Sequence, residues 1–396
     1  MWPVYLDNNA TTRTDPAVVE AMLPYFSECF GNPSSAHGIG TDVAKGIRTA
    51  REQVRSLVGA AHDNEIVFTS GGTESDNTAI LSALQAVPHR DEVVVSAVEH
   101  PAILTLCRRL ETSRGTRIHR IPVDGCGRLD IDAYRAALSE HTAIVSVLWA
   151  NNETGAVLPV AELALMAKAA GALFHTDAVQ AAGRLPIDLR TTAIDMLSLS
   201  AHKLHGPKGV GALYVRNGTP FVSLIEGGRQ ERARRAGTEN VPGIIGLGKA
   251  AQLAMDALAS ETPRIAALRD RLEQCLQRSI AGTRINGPPM ARIANTCNIA
   301  FEDVESDALL TLLGREGIAC SSGSACASGT MEPSHVLIAM QVPPRFLYGA
   351  LRFSLSRDTG DAEIDRVLAV MPRIVERLRQ PASRPSHHQT SDSVHA

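Results

Sequence analysis

A chain of 396 residues with 44% hydrophobic and 20% charged content can bury a large core and exceeds the size of one ordinary compact domain. Its 39 Lys plus Arg against 42 Asp plus Glu leave a formal net charge of -3, which offers no basic field for nucleic acid or an anionic membrane. A small-molecule substrate or a specific protein partner fits better. No apolar run nears the ~20 residues of a membrane span, and Met1-Trp2-Pro3 lacks the basic-then-apolar layout of a signal peptide, so a cytoplasmic chain is expected. The seven cysteines, at 29, 107, 126, 275, 297, 320 and 326, are odd in number and scattered, and none has structural zinc spacing. Reduced thiols are expected, with Cys107, Cys275 and Cys297 as small buried hydrophobes in apolar or helical contexts.

From about residue 64 the sequence alternates short β-branched runs with helical stretches. Residues 65–68, 93–95, 144–147 and 196–199 read as buried strands, while residues 74–87, 102–114 and 160–170 carry apolar side chains near helical spacing. This alternation predicts an α/β large domain, a mostly parallel sheet covered by helices, over residues 16–257. After Pro242 an Ala/Leu-rich helical stretch reaches about Arg278, followed by mixed elements and a helix over residues 362–379. These, with residues 1–15, predict a smaller α+β domain over 258–380. Residues 381–396 are polar, Pro/Ser-rich and unpatterned, the composition of a disordered tail in which His387, His388 and His395 are solvated. No internal repeat of fixed period is present.

Three segments carry chemistry. A strand ending at Thr69 runs into Ser70-Gly-Gly-Thr-Glu-Ser75 and a helix, which aims loop amides, the Thr73 hydroxyl and a helix N-terminus at one point, an anion cradle suited to phosphate. A tight turn with an N-cap gives the same pattern, and the Lys of a triphosphate-binding P-loop is missing. Next, Phe174-His175-Thr-Asp177 places Asp177 at the carboxyl end of a strand, the edge where ligands of open α/β sheets collect. A carboxylate there can pair with a pyridine nitrogen, or simply cap a helix. Finally, a strand ending in Leu199 delivers Ser200-Ala-His-Lys203 about 26 residues after Asp177. Lys203, between an apolar strand and a Gly/Pro turn, is placed for a Schiff base with an aldehyde cofactor, whereas Lys208 reads as solvated.

Together these residues resemble the class V aminotransferase-like, fold-type I pyridoxal phosphate (PLP) enzymes, and within them the NifS/IscS cysteine desulfurases. The resemblance runs from Tyr5-Leu-Asp-Asn-Asn-Ala-Thr-Thr12 to Leu351-Arg-Phe-Ser354. Between these lie, in the family's order, Ser70-Gly-Gly-Thr-Glu-Ser75, Glu99-His100, Asn151-Asn-Glu-Thr-Gly155, His175-Thr-Asp177, Ser200-Ala-His-Lys203, Arg235-Ala-Gly-Thr-Glu-Asn240 and Ser321-Ser-Gly-Ser-Ala-Cys326. It implies that Lys203 holds PLP covalently, that His100 stacks on the ring and shuttles protons, and that Asp177 pairs with the ring nitrogen. Gln180 would bond the phenolic oxygen, with Asn152 close to ring and substrate. Gly72, Thr73, Ser200 and His202 would hold the phosphate, with Ala201 in the same cofactor-binding set and Thr238 reaching across from the second subunit of a homodimer. Arg352 would clamp the substrate carboxylate, a task suited to a bidentate guanidinium.

Cys326 lies in a stretch of small residues, 319–329, with almost nothing to bury, which predicts a mobile, exposed loop. A thiol there is placed to attack the sulfur of cysteine bound to the cofactor, leaving a persulfide on Cys326 and releasing alanine after Lys203 has removed the Cα proton. The persulfide would pass its sulfur to a cluster scaffold protein by thiol exchange, giving Cys326 a transient place at an iron–sulfur centre. Cys320, six residues earlier, reads as a tolerated small side chain, with a resting disulfide or a sulfur-accepting role as alternatives. The segments at 234–241 and 321–335 look most like the NifS branch, which supplies nitrogenase clusters. A housekeeping IscS-type enzyme, a selenocysteine lyase, an aminotransferase and a non-catalytic scaffold are the competing readings.

Overall fold

The computed structural model describes residues 4–322 and 333–380. In chain order its elements are β1 (Val4–Tyr5), α1 (Pro16–Met22), α2 (Pro24–Ser27), α3 (Gly38–Val58), β2 (Ile66–Thr69), α4 (Gly72–Ala86), β3 (Glu92–Ser96), α5 (Pro101–Arg114), β4 (Arg117–Ile121), α6 (Ile131–Ala137), β5 (Thr142–Ser146), α7 (Val160–Ala169), β6 (Leu173–Asp177), β7 (Met196–Ser200), β8 (Gly211–Val215) and α8 (Gln230–Ala233). The remainder comprises α9 (Val241–Ser279), β9 (Thr283–Ile285), β10 (Thr296–Phe301), α10 (Ser306–Arg315), β11 (Ile318–Ala319), α11 (His335–Ala339), α12 (Pro344–Leu347), β12 (Ala350–Ser354) and α13 (Asp361–Arg379).

Seven strands form one sheet in the order β2-β8-β7-β6-β5-β3-β4, and only β8 runs antiparallel to its neighbours. Both faces are covered. Val94 and Val145 point into one core cluster, whereas Val93, Val95 and Ile144 point into another, and all five are fully buried. Burial on both faces explains why these strands read as continuous apolar runs. Because β2, β7, β6, β5 and β3 share one direction, their carboxyl ends open on one edge. That edge therefore receives the residue 70–73 turn, Ser200, Asp177 and the segments leading to Asn152 and His100.

A second, antiparallel sheet, β12-β10-β9, is backed by α10, α13 and the later part of α9 around Leu272, Leu276, Phe301, Leu309, Phe353 and Met371. Helix α9 serves both cores: Val241 to Ala254 pack against the large sheet and Ile265 to Leu276 against the small one. The N-terminal segment is tied to the small sheet, with β1 parallel to β11 and Asp7 bridged to Ser354.

Two expectations need revision. Cys275 is only half-buried, on the outer side of α9 with its Sγ 3.3 Å from Arg278 Nη2, whereas Cys107 and Cys297 are fully buried. The stretch predicted as an exposed loop, 319–329, is not one over its described residues: Ala319 is in β11, Ser321 exchanges backbone hydrogen bonds with Arg352, and Ser322 is buried. Cys326 and residues 381–396 lie outside the described residues.

The segment leading to Thr238 rests on one buried ion pair. Glu231, Arg232 and Ala233 adopt left-handed φ angles of 45, 57 and 61°, a conformation costing roughly 1–2 kcal/mol per L-residue. Arg51 holds them: its guanidinium meets both Glu231 carboxylate oxygens at 2.7 Å, and Glu231 also accepts from the Phe68 amide at 3.0 Å. Arg51→Met would leave Glu231 buried without a counter-charge. It is expected to cost about 3–5 kcal/mol in urea unfolding, and a loss under ~1 kcal/mol would contradict this account.

Candidate active site

The turn after β2 forms the floor of a cleft of about 390 Å³ lined by Ser70, Gly71, Gly72, Thr73, Ser200, His202 and Lys208. Helix α4 opens here, and the first amides of a helix have no acceptor within it. Gly71 is at φ 152°, and a Cβ on Gly72 would come within 2.9 Å of Val179, so the chain passes where a side chain would not. Glu74 turns aside, accepting from the Ser70 amide at 2.8 Å and pairing with Arg235 at 3.0 Å. Burial raises its pKa, but Arg235 and Ser70 outweigh that and hold it below the usual carboxylate range. What remains facing the cleft is a helix N-terminus, hydroxyls and His202, a site for a phosphate.

His202 holds Thr11 Oγ1 at 3.1 Å through Nδ1, and burial next to Lys203 and Lys208 lowers its pKa to about 4. It is therefore a neutral contact. Ala201 is fully buried and its amide donates to Val210 O, so it shapes the turn beneath Ser200. Thr238 is exposed and lines an adjoining cavity of about 210 Å³ that shares Ser70 and Gly209 with the cradle.

Asp177 ends β6 and accepts from the Val179 amide at 2.8 Å. Burial raises its pKa, opposed by His100 and Lys203. Beneath it lie two further buried acids. Asp76 on α4 is driven well up by burial and by Asp177, and burial lifts Glu99 to about 8. His100 caps α5, its Nδ1 accepting from the Ala102 amide at 3.1 Å, so the ring proton sits on Nε2. The residue is exposed, yet desolvation by the surrounding protein lowers its pKa.

Lys203 is half-buried. Its Nζ donates to the carbonyls of Asn9 and, at 2.6 Å, Ala10. Burial, then Arg184 and Arg352, lower its pKa to about 7. Gln180 Nε2 donates to the same Asn9 oxygen at 3.0 Å. An amine and an amide N–H within reach of one oxygen match PLP, whose aldehyde and ring oxygen sit on adjacent carbons. With the cradle on one side and Asp177 on the other, the residues present fit the cofactor.

Arg352 on β12 faces the same space. Its Nη2 pairs with Asp7 at 2.7 Å, its Nη1 donates to Asn152 O at 3.2 Å, and its buried Nε has no partner among the described residues. Asn152 thus enters through its backbone carbonyl, which also accepts from Asn9 Nδ2 at 2.9 Å. Cys320 lies near Asp7 and Arg352, and burial pushes its thiol up to about 12. A thiol that stays protonated at neutral pH is a poor nucleophile. Asp7, Asn9, Asp76, Glu153 and Arg184 had no role assigned from sequence. The first two stood in the quoted motif 5–12, and Glu153 in 151–155, but only the tertiary fold shows what they touch.

Residues 4–367 match the aminotransferase class-V family model. A cysteine desulfurase of Gluconacetobacter diazotrophicus is 62% identical over 377 residues, 95% of this chain and 94% of that protein. The cysteine desulfurase NifS of Azotobacter vinelandii is 55% identical over 96% of this chain and 94% of its own. A solved NifS-like protein superposes with a TM-score of 0.89 at 36% identity, covering 95% of this chain and all of that one. With an anion cradle near Lys203 and Asp177 at the carboxyl edge of its sheet and such relatives over nearly its whole length, the chain belongs to the class-V aminotransferase family and, within it, to the cysteine desulfurases, PLP enzymes that take sulfur from L-cysteine.

Proposed function

We propose that Lys203 holds PLP and serves as the base, and that Cys326 accepts the sulfur. The observation that carries this is the convergence of Lys203 Nζ and Gln180 Nε2 on one carbonyl between the cradle and Asp177. When bound, PLP supplies an electron sink for negative charge at the substrate Cα. The protein's own groups do the rest. Gly72, Thr73, Ser200 and His202 hold the phosphate, Ala201 supports them, and Thr238 of a second subunit completes the cradle in a homodimer. Asp177 would carry the charge that meets the ring nitrogen, and His100 would stack on the ring with its Nε2 proton available to the substrate.

Arg352 binds the substrate carboxylate through the guanidinium edge that Asp7 leaves free, beside Asn152. Lys203, with a pKa near neutrality, accepts the Cα proton. The Cys326 thiolate then forms an S–S bond to the substrate sulfur as the Cβ–S bond breaks. Proton return to the substrate carbon skeleton gives L-alanine and leaves Cys326–S–SH. Ser322 is four residues before Cys326, a span of at most ~14 Å of extended chain, and Ser321 is bonded to Arg352, so the sequence can deliver the thiol to the carboxylate clamp.

We further place the enzyme in the NifS branch and in the cytoplasm, passing sulfur to a scaffold protein for iron–sulfur clusters of nitrogenase. The 55% identity to NifS supports the branch, and among the described residues no helix is long and apolar enough to cross a membrane. Disrupting the gene should then impair growth without fixed nitrogen more than growth with ammonium.

Two outcomes test the residue roles. Cys326→Ala should lose sulfide release from cysteine by at least about 100-fold while retaining the cofactor's visible absorbance, and Cys320→Ala should stay within about twofold of wild type, as expected for a protonated thiol. Full turnover by the Cys326 variant would sink the mechanism. Only neutral Lys203 can attack the cofactor aldehyde, so capture of PLP by the apoprotein should speed up with rising pH and reach half-maximum near pH 7. A midpoint near that of free lysine would remove Lys203 as the neutral amine.

A further inference from the structure

Arg184 follows the Gln180 turn by one helical turn's spacing and is the cation facing Lys203 from the wall behind it. Its Nη1 donates to Gln180 O at 3.1 Å and to Gln180 Oε1, and its Nη2 reaches Lys203 O at 3.4 Å. All three acceptors are neutral. Among the described residues no carboxylate lies within 4 Å of it, because Glu261, which lines the same small cavity of about 60 Å³, is turned to Arg357 at 3.7 Å. Arg184 is half-buried, and a guanidinium partly withdrawn from water without an acid is costly; burial followed by Arg352 lowers its pKa to about 10, still protonated at neutral pH. Its position asks for an explanation in terms of what it touches.

Gln180 provides one. An arginine can only donate, so the amide end it meets must be the oxygen. A backbone carbonyl can only accept, so the end that meets Asn9 O must be the NH2. Both neighbours force the same orientation, which puts the Gln180 NH2 on the carbonyl that Lys203 Nζ also meets. Asn9 does not yield: its amide donates to Ser354 Oγ at 2.9 Å, its Nδ2 to Thr296 Oγ1 at 2.8 Å, and its Oδ1 accepts from Asn295 at 3.0 Å.

Lys203 provides the second. The charged groups that act on it are Arg184 and Arg352, which oppose its protonation, and Asp177 and Asp7, which favour it; His100 and His202, also adjacent, have lowered pKa values. Arg352 is already neutralised by Asp7 at 2.7 Å. Arg184 is not paired, so its field is the less compensated of the two.

We infer that Arg184 is a positioning residue with two effects: it turns the Gln180 amide so that its NH2 faces the cofactor's ring oxygen, and its unpaired charge keeps the Lys203 amine neutral. This rests on the roles proposed above for Lys203 and Gln180. It assigns a task to a residue that touches neither substrate nor the reacting atoms.

The test is capture of PLP by the apoprotein, followed through the cofactor's visible absorbance across pH. In Arg184→Met the half-maximal pH should rise by about one unit, so that capture at pH 7 is about fivefold slower with the plateau at high pH reached. Arg184→Lys, which keeps the charge and can only donate, should restore the midpoint to within about 0.3 unit of wild type. Arg184→Gln is a second neutral variant should the methionine protein fail to fold, and the same upward shift is expected of it. A neutral variant that is folded by circular dichroism and captures PLP with the wild-type midpoint overturns the inference. Lys203→Ala run in parallel separates the two levels: if it still captures PLP with the same absorbance, the reading of Lys203 fails and this inference with it, whereas Lys203-dependent capture with an unmoved midpoint defeats Arg184 alone.

Discussion

The carbonyl of Asn9 joins the two halves of the molecule at the place where the chemistry occurs. It belongs to an N-terminal segment secured to the small sheet through β1, β11, Ser354, Thr296 and Asn295, yet it accepts from Lys203 and Gln180, which stand at the edge of the large sheet. The lysine is therefore held against a fixed point of the other core. A rotation of one sheet relative to the other would separate Lys203 from Asn9 and Arg352 from Asn152 together. The active site and the packing between the cores are in this sense one constraint, and α9, serving both cores with a single helix, opposes such a rotation.

The same region concentrates charge where burial disfavours it. Asp177, Asp76 and Glu99 are all buried, and three carboxylates that close cannot all ionise. Their partners decide which does. Asp177 has the Val179 amide, His100 and Lys203 to favour its charged form. Asp76 has the Ser198 hydroxyl, while one oxygen of each of Asp76 and Glu99 has no hydrogen-bond partner among the described residues to stabilise a charge. His175, 3.7 Å from Asp76, is neutral, with Ser146 on Nδ1 at 2.8 Å, Ser198 on Nε2 at 2.9 Å, and burial holding its pKa to about 3. The partners thus favour negative charge on Asp177, the acid proposed to meet the cofactor's nitrogen, over Asp76 and Glu99.

Much of the fold was legible because burial leaves a periodic trace. Val93 to Val95 had to be apolar on both faces, and the run from Pro242 to Arg278 kept its helical pattern through two different cores. Asp177, Lys203 and the residue 70–73 turn were legible because each combines a strand end with a residue type that has few other reasons to be there. Arg184 had no such signature: a single arginine in an Ala/Gly/Pro-rich turn reads as surface, and only tertiary contact reveals it behind Lys203. The part of Asn9 that matters is a backbone carbonyl, which no side-chain pattern encodes. Asn152 was identified by family likeness, but its described contacts are made by its main chain.

The described residues on either side of the segment carrying Cys326 are bonded to Arg352, Glu153 and Glu99. On one side Ser321 and Arg352 exchange backbone hydrogen bonds at 3.2 and 2.6 Å, so the strand that presents the guanidinium also fixes the start of the segment. On the other, Ser334 donates to Glu153 at 2.5 Å and caps α11, and His335 meets the carbonyl of Glu99, the residue before His100. Glu153 is raised to about 7 by burial, with Ser334 and Arg352 opposing. Both described ends of this segment are thus tied, within one or two residues, to Arg352 and His100, the groups proposed to meet the substrate.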